Sequence, residues 1–68
     1  MSLKTIGQNI RAHRQAQHMS IEELAFKAEL SKNYLSLVER GEKTPSLETL
    51  ISIVNALHIS AERIIQWL

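Results

Sequence analysis

The run L-S-K-N-Y-L-S-L-V-E-R-G, residues 30 to 41, gathers the side chains best suited to chemistry. At 3.6 residues per turn, Asn33, Ser36, Leu37 and Arg40 share one face at i, i+3, i+4 and i+7, and Lys32 joins them one turn before Ser36. Ser31, Leu35, Val38 and Glu39 fall on the other side, with Tyr34 at its margin. The first face carries an ammonium, an amide, a hydroxyl, a guanidinium and one leucine, which suits hydrogen-bonded recognition rather than bond making. Catalysis is not expected. No paired carboxylates lie near a histidine, no glycine-rich phosphate loop is present, and a chain this small has little room for a pocket.

Sixty-eight residues make one small domain, residues 1–68, near the lower limit for folding without metal or disulfides. The absence of cysteine excludes a disulfide framework and a cysteine-type zinc site. His13, His18 and His58 are too scattered for metal ligation, so neither a metal nor a cofactor is expected, and no small-molecule ligand is evident. No stretch reads as a signal peptide or a membrane span, which makes a cytoplasmic, nucleoid-associated domain the expectation, with no membrane partner. Net charge is only +1, but its distribution is uneven. Residues 1 to 18 hold Lys4, Arg11 and Arg14 and no acid, and Lys27, Lys32, Arg40 and Lys43 lie in the middle third. A weakly basic half fits a nucleic-acid face, although an ordinary solvated surface would look much the same.

The elements that must position these residues are helical nearly throughout. Helix one runs roughly from Leu3 or Thr5 to Gln17, with Ile6, Ile10, His13 and Arg14 inward. Ser20 opens helix two in the capping-box pattern S-I-E-E, and Ile21, Leu24, Ala25 and Ala28 form its inner side. After the turn Glu29-Leu30, Ser31 caps helix three, which ends at Gly41. Ser46 caps helix four, with Leu47, Leu50, Ile51, Val54 and Leu57 inward, and Ser60 caps helix five, with Ala61, Ile64, Ile65 and Leu68 inward. The expected fold is a compact all-α domain of five short helices.

Helices two and three, with small residues Ala25 and Ala28 where they would cross, have the pattern of a helix-turn-helix unit over about residues 21–40. Alone this pattern is weak, since any helical bundle contains such pairs. The rest of the chain makes it specific. I-G-Q-N-I-R-A-H-R at 6 to 14, S-I-E-E-L-A at 20 to 25, Y-L-S-L-V-E-R-G at 34 to 41, P-S-L-E-T-L at 45 to 50 and A-L-H-I-S-A-E-R-I-I at 56 to 65 resemble the lambda-repressor/Cro-like family, also called Xre-type regulators. The resemblance spans Ile6 to Ile65; SinR-type DNA-binding domains and restriction–modification controllers are the two subtypes the chain looks most like.

This resemblance implies a five-helix fold, double-stranded operator DNA as ligand, action as a homodimer, and a transcriptional regulator, usually a repressor. It places Lys32, Asn33, Ser36 and Leu37 at the positions that face base edges. Their chemistry suits that independently: lysine donates to guanine O6 and N7, asparagine pairs with adenine, and an exposed leucine meets a thymine methyl. Tyr34 and Lys43 match family positions beside the phosphates, Ser20 and the first amides of helix two favour an anion, and Arg11 and Arg40 add charge. Plain surface roles compete for all of these, most strongly for Ser20, which caps a helix regardless, and for Arg11.

Arg14 and Glu39 sit on inner sides, where an unpaired charge is costly, and the resemblance pairs them in a structural ion pair. Two positions depart from the family pattern: Ile21 replaces a frequent glutamine, which favours packing there, and Glu29 replaces the usual turn glycine, leaving either strain or a turn that avoids positive φ. Phe26 lies off the inner stripe without an account. One recognition helix reads only a few base pairs, so a two-fold dimer is expected, with Ile53, Ile64 and Trp67 as its interface. The competing class is a protein-interaction module of the same fold, such as an antitoxin or a heterodimerising adaptor.

Overall fold

Serine starts every helix that the computed structural model describes, which covers residues 2–60. The helices are α1 (Leu3–Ala16), α2 (Ile21–Lys27), α3 (Lys32–Glu39) and α4 (Leu47–Leu57), with no strand among the described residues. Ser2, Ser20, Ser31 and Ser46 each accept a hydrogen bond on the side-chain oxygen from the backbone N–H three residues on: Thr5, Glu23, Tyr34 and Thr49. A serine in extended conformation satisfies one amide that the first turn would otherwise leave bare, worth about 1 kcal/mol per cap. The expected fifth helix lies outside the described residues.

The helix ends are equally uniform. His18, Glu29, Gly41 and His58 follow the four helices with φ of 56°, 59°, 76° and 58°. In each case the next residue's N–H reaches back to a carbonyl five residues earlier: Met19 to Arg14, Leu30 to Ala25, Glu42 to Leu37 and Ile59 to Val54. This double closure reverses the chain tightly. Met19, Leu30 and Ile59 then fold onto the core, Met19 buried and the other two packed against it. Glu29 therefore adopts the left-handed conformation that the turn requires, although it carries a Cβ.

Every described helix contributes to one core. Ile10, Leu24, Leu35, Val38, Ile53 and Leu57 are its largest fully buried side chains. Both glycines serve close approach of α1 to the end of α3. A Cβ at Gly7 would meet the carbonyl oxygens of Val38 and Glu39, and one at Gly41 would meet the backbone of Lys4.

Helix α4 is rotated from the sequence expectation. Ile53, Val54, Ala56 and Leu57 are buried and Leu50 half-buried, whereas Leu47 is 72% and Ile51 47% exposed. L-I-S-I-V-N-A-L is apolar nearly all round, so periodicity allowed two stripes. The one running Leu50, Ile53, Val54, Leu57 faces inward. Ile53, at 0% exposure, is consequently core and is not an interface residue.

Candidate nucleic-acid interface

Leu35, Val38 and Glu39 point into the domain and fix the orientation of α3. Its other side presents Lys32, Asn33 and Arg40, exposed, with Ser36 and Leu37 half-buried among them. Leu37 is thus partly shielded rather than fully solvated. Tyr34 is also half-buried and packs against the core, which leaves one edge of it at the surface. Ser20 and Lys43 are exposed, and the Ser20 hydroxyl is engaged as the α2 cap.

Arg11, Arg14, Ile21, Ser36, Glu39 and Arg40 line a groove of about 250 Å³ formed by residues of α1, α2 and α3. The fold thereby brings Arg11 and Arg40 together beside Ser36, although Arg11 is 25 positions from Ser36 in the chain. Lys43 stands apart from this groove, in the loop between α3 and α4. Ile21 packs against the core, so the position where the family often has glutamine is apolar support for α2.

Two residues that line the groove, Arg14 and Glu39, are paired with each other. Arg14 Nε donates to Glu39 Oε2 at 2.8 Å, Nη2 donates to Oε1 at 3.0 Å, and Nη1 donates to the Met19 carbonyl at 2.9 Å. One planar guanidinium therefore ties α1, the α1–α2 turn and the end of α3 together in a fork that only arginine offers. The hydrogen bond to Glu39 is the main cause holding Arg14 above the ordinary arginine pKa, against the opposing effect of burial.

Partners of the surface cations escaped the sequence reading. Lys32 Nζ lies 3.2 Å from Glu22 Oε2, and Arg40 Nε donates to Glu42 Oε2 at 2.8 Å. Glu22 is held below the usual carboxylate range, first by its own backbone N–H and then by Lys32. Arg11 and Lys43 have no ion-pair partner among the described residues.

A family model described as helix-turn-helix matches residues 10–64. The chain belongs to the helix-turn-helix family, of the lambda-repressor-like, Xre type. Among its curated helix-turn-helix relatives is the immunity repressor of Bacillus phage phi105, 41% identical over 61 residues, covering 90% of this chain and 42% of that protein. The chain spans less than half the length of this repressor and of two uncharacterised helix-turn-helix regulators of Mycobacterium tuberculosis that it also matches. The solved restriction–modification controller protein C.AhdI from Aeromonas hydrophila superposes with a TM-score of 0.91 at 35% identity, covering 93% of this chain and 96% of that one. The biofilm regulator SinR, solved in complex with DNA, superposes with a TM-score of 0.79 at 38% identity, covering 84% of this chain and 92% of that one.

Proposed function

We propose that the chain binds double-stranded operator DNA in a sequence-dependent manner and regulates transcription, acting as a repressor by occupying a site that polymerase needs. Helix α3 lies in the major groove, with Lys32, Asn33, Ser36 and Leu37 toward base edges. Ser20, Tyr34, Arg11, Arg40 and Lys43 hold the phosphates. The observation that carries this reading is the division of α3 into a packed side and a hydrogen-bonding side. Its likeness to a regulator solved on DNA supports it. No chemical step is assigned, and the site of action is the cytoplasm, where the DNA lies.

A second copy completes the site, because eight residues of α3 span too few base pairs to define one. Leu47 and Ile51 offer apolar surface on α4 for such a copy, and the proposed contacts Ile64 and Trp67 lie outside the described residues. The competing reading, a protein-interaction module, draws support from Phe26, which is 83% exposed on α2. Selection of bound fragments from random duplex DNA separates the two. The DNA reading expects inverted repeats with half-site centres about 34 Å apart and affinity that falls steeply with salt. Enrichment of no sequence, or binding indifferent to salt, would favour the interaction module.

A further inference from the structure

The Lys32–Glu22 contact joins the first turns of the two helices of the helix-turn-helix, with Nζ 3.2 Å from Oε2. Both side chains stay open to solvent, 56% and 64% exposed, so a ligand approaching α3 meets them as a pair. The Glu22 carboxylate sits at the start of α2, whose Ser20 cap fixes the backbone that carries it.

Donor and charge counts give this pair a consequence. A lysine ammonium has three N–H donors and no acceptor. With one committed to Glu22, two remain, which is the number that guanine O6 and N7 accept. The pair is close to neutral at a distance, so a tethered Lys32 attracts phosphate less than a free lysine does. Tethering also restricts a long side chain before any ligand arrives, which lessens the ordering required on binding.

We propose that Glu22 is a specificity-determining positioning residue, whose carboxylate holds the Lys32 ammonium over the recognition face and converts a general phosphate-binding cation into a base-reading one. The inference rests on the reading that α3 enters the major groove. Glu22 also repels phosphate directly, so both effects act against sequence-blind binding.

The test uses the full chain, Glu22→Gln, Lys32→Met and the double variant. Each is titrated over a salt series with the duplex that the parent selects and with random-sequence duplex. Both residues are exposed, so neither change removes core contacts, and matched melting temperatures verify this. Glu22→Gln is expected to bind random duplex roughly three- to fivefold more tightly, as for loss of an exposed ion pair, with a salt slope steeper by about one unit. It should also lose preference at the same base position that Lys32→Met relaxes. In the Lys32→Met background, the glutamine should leave base preference unchanged. An unaltered ratio of selected to random affinity in Glu22→Gln overturns the inference while leaving the DNA reading intact. An equal loss of preference with and without Lys32 also overturns it, because Glu22 then acts independently. A parent that binds neither duplex overturns both readings.

Discussion

Arg14 and Glu39 meet through two parallel hydrogen bonds, 2.8 and 3.0 Å, with the Glu39 side chain only 5% exposed. Removing one partner strands the other charge without its counterpart. Glu39→Ala should therefore destabilise the domain by about 3–5 kcal/mol in urea unfolding, and Arg14→Ala should do comparable damage. Because the Arg14 pKa is raised on folding, the stabilisation is present below the unfolded pKa and is lost only as pH rises through the folded one, above the ordinary arginine range. Unfolding between pH 6 and 9 should show no step attributable to this pair. A Glu39→Ala protein that melts with the parent would remove the structural role.

Glu29 occupies a left-handed position, with φ of 59°, where a Cβ is unfavourable. The left-handed conformation costs a residue with a side chain about 1–2 kcal/mol, and glycine's greater freedom in the unfolded chain returns part of that. Glu29→Gly should stabilise the domain by roughly 0.5–1 kcal/mol, raising Tm by a few degrees for a chain of this size. Calorimetry measures the shift; a lower Tm would mean that Glu29 makes a compensating contact.

Gly7 poses the opposite case. Alanine favours a helix over glycine by about 1 kcal/mol, which alone would stabilise α1. Here, however, the added Cβ runs into the backbone carbonyls of Val38 and Glu39, which cannot rotate away. Overpacking of this kind costs about 1–3 kcal/mol and should win, given contact with two backbone atoms. Gly7→Ala should lower Tm and loosen the α1–α3 crossing, seen as faster amide exchange at the end of α3.

Asn33 and Lys43 should separate specificity from affinity. Asn33→Ala should lose roughly 1–3 kcal/mol on the selected site and relax one base position. Lys43→Ala should weaken binding about equally on all sequences and flatten the salt slope by roughly one unit. If Asn33→Ala selects the same site as the parent, the placement of α3 is wrong at that residue.

Much of the frame was legible because its signals are local. Serine caps, the S-I-E-E box and Gly41 marked helix limits closely, and α2 and α3 fall where spacing placed them. The rotation of α4 was not legible, since an apolar residue on nearly every side leaves the choice of stripe to tertiary packing. At Glu29 the sequence left two turn geometries open, and its φ of 59° shows that the chain takes the left-handed one. The ion pairs of Lys32 and Arg40 were hidden because composition counts charges but does not say which neighbours fold within reach. Phe26 remains exposed, and nothing in the structure explains it.

Gln17 Nε2 donates to the Leu57 carbonyl at 2.7 Å, fastening the end of α1 to the end of α4 across a span of 40 residues. The base- and phosphate-contacting residues proposed above all lie between Arg11 and Lys43, before α4 begins. During synthesis, the whole reading face would emerge well before Ile53 and Leu57 arrive to complete the core. Loop closure of that length comes late relative to local helix pairing. A nascent chain halted after residue 43 would thus carry every proposed contact to DNA and still lack a surface rigid enough to use them, so recognition becomes available only when the last described turn locks onto the first helix.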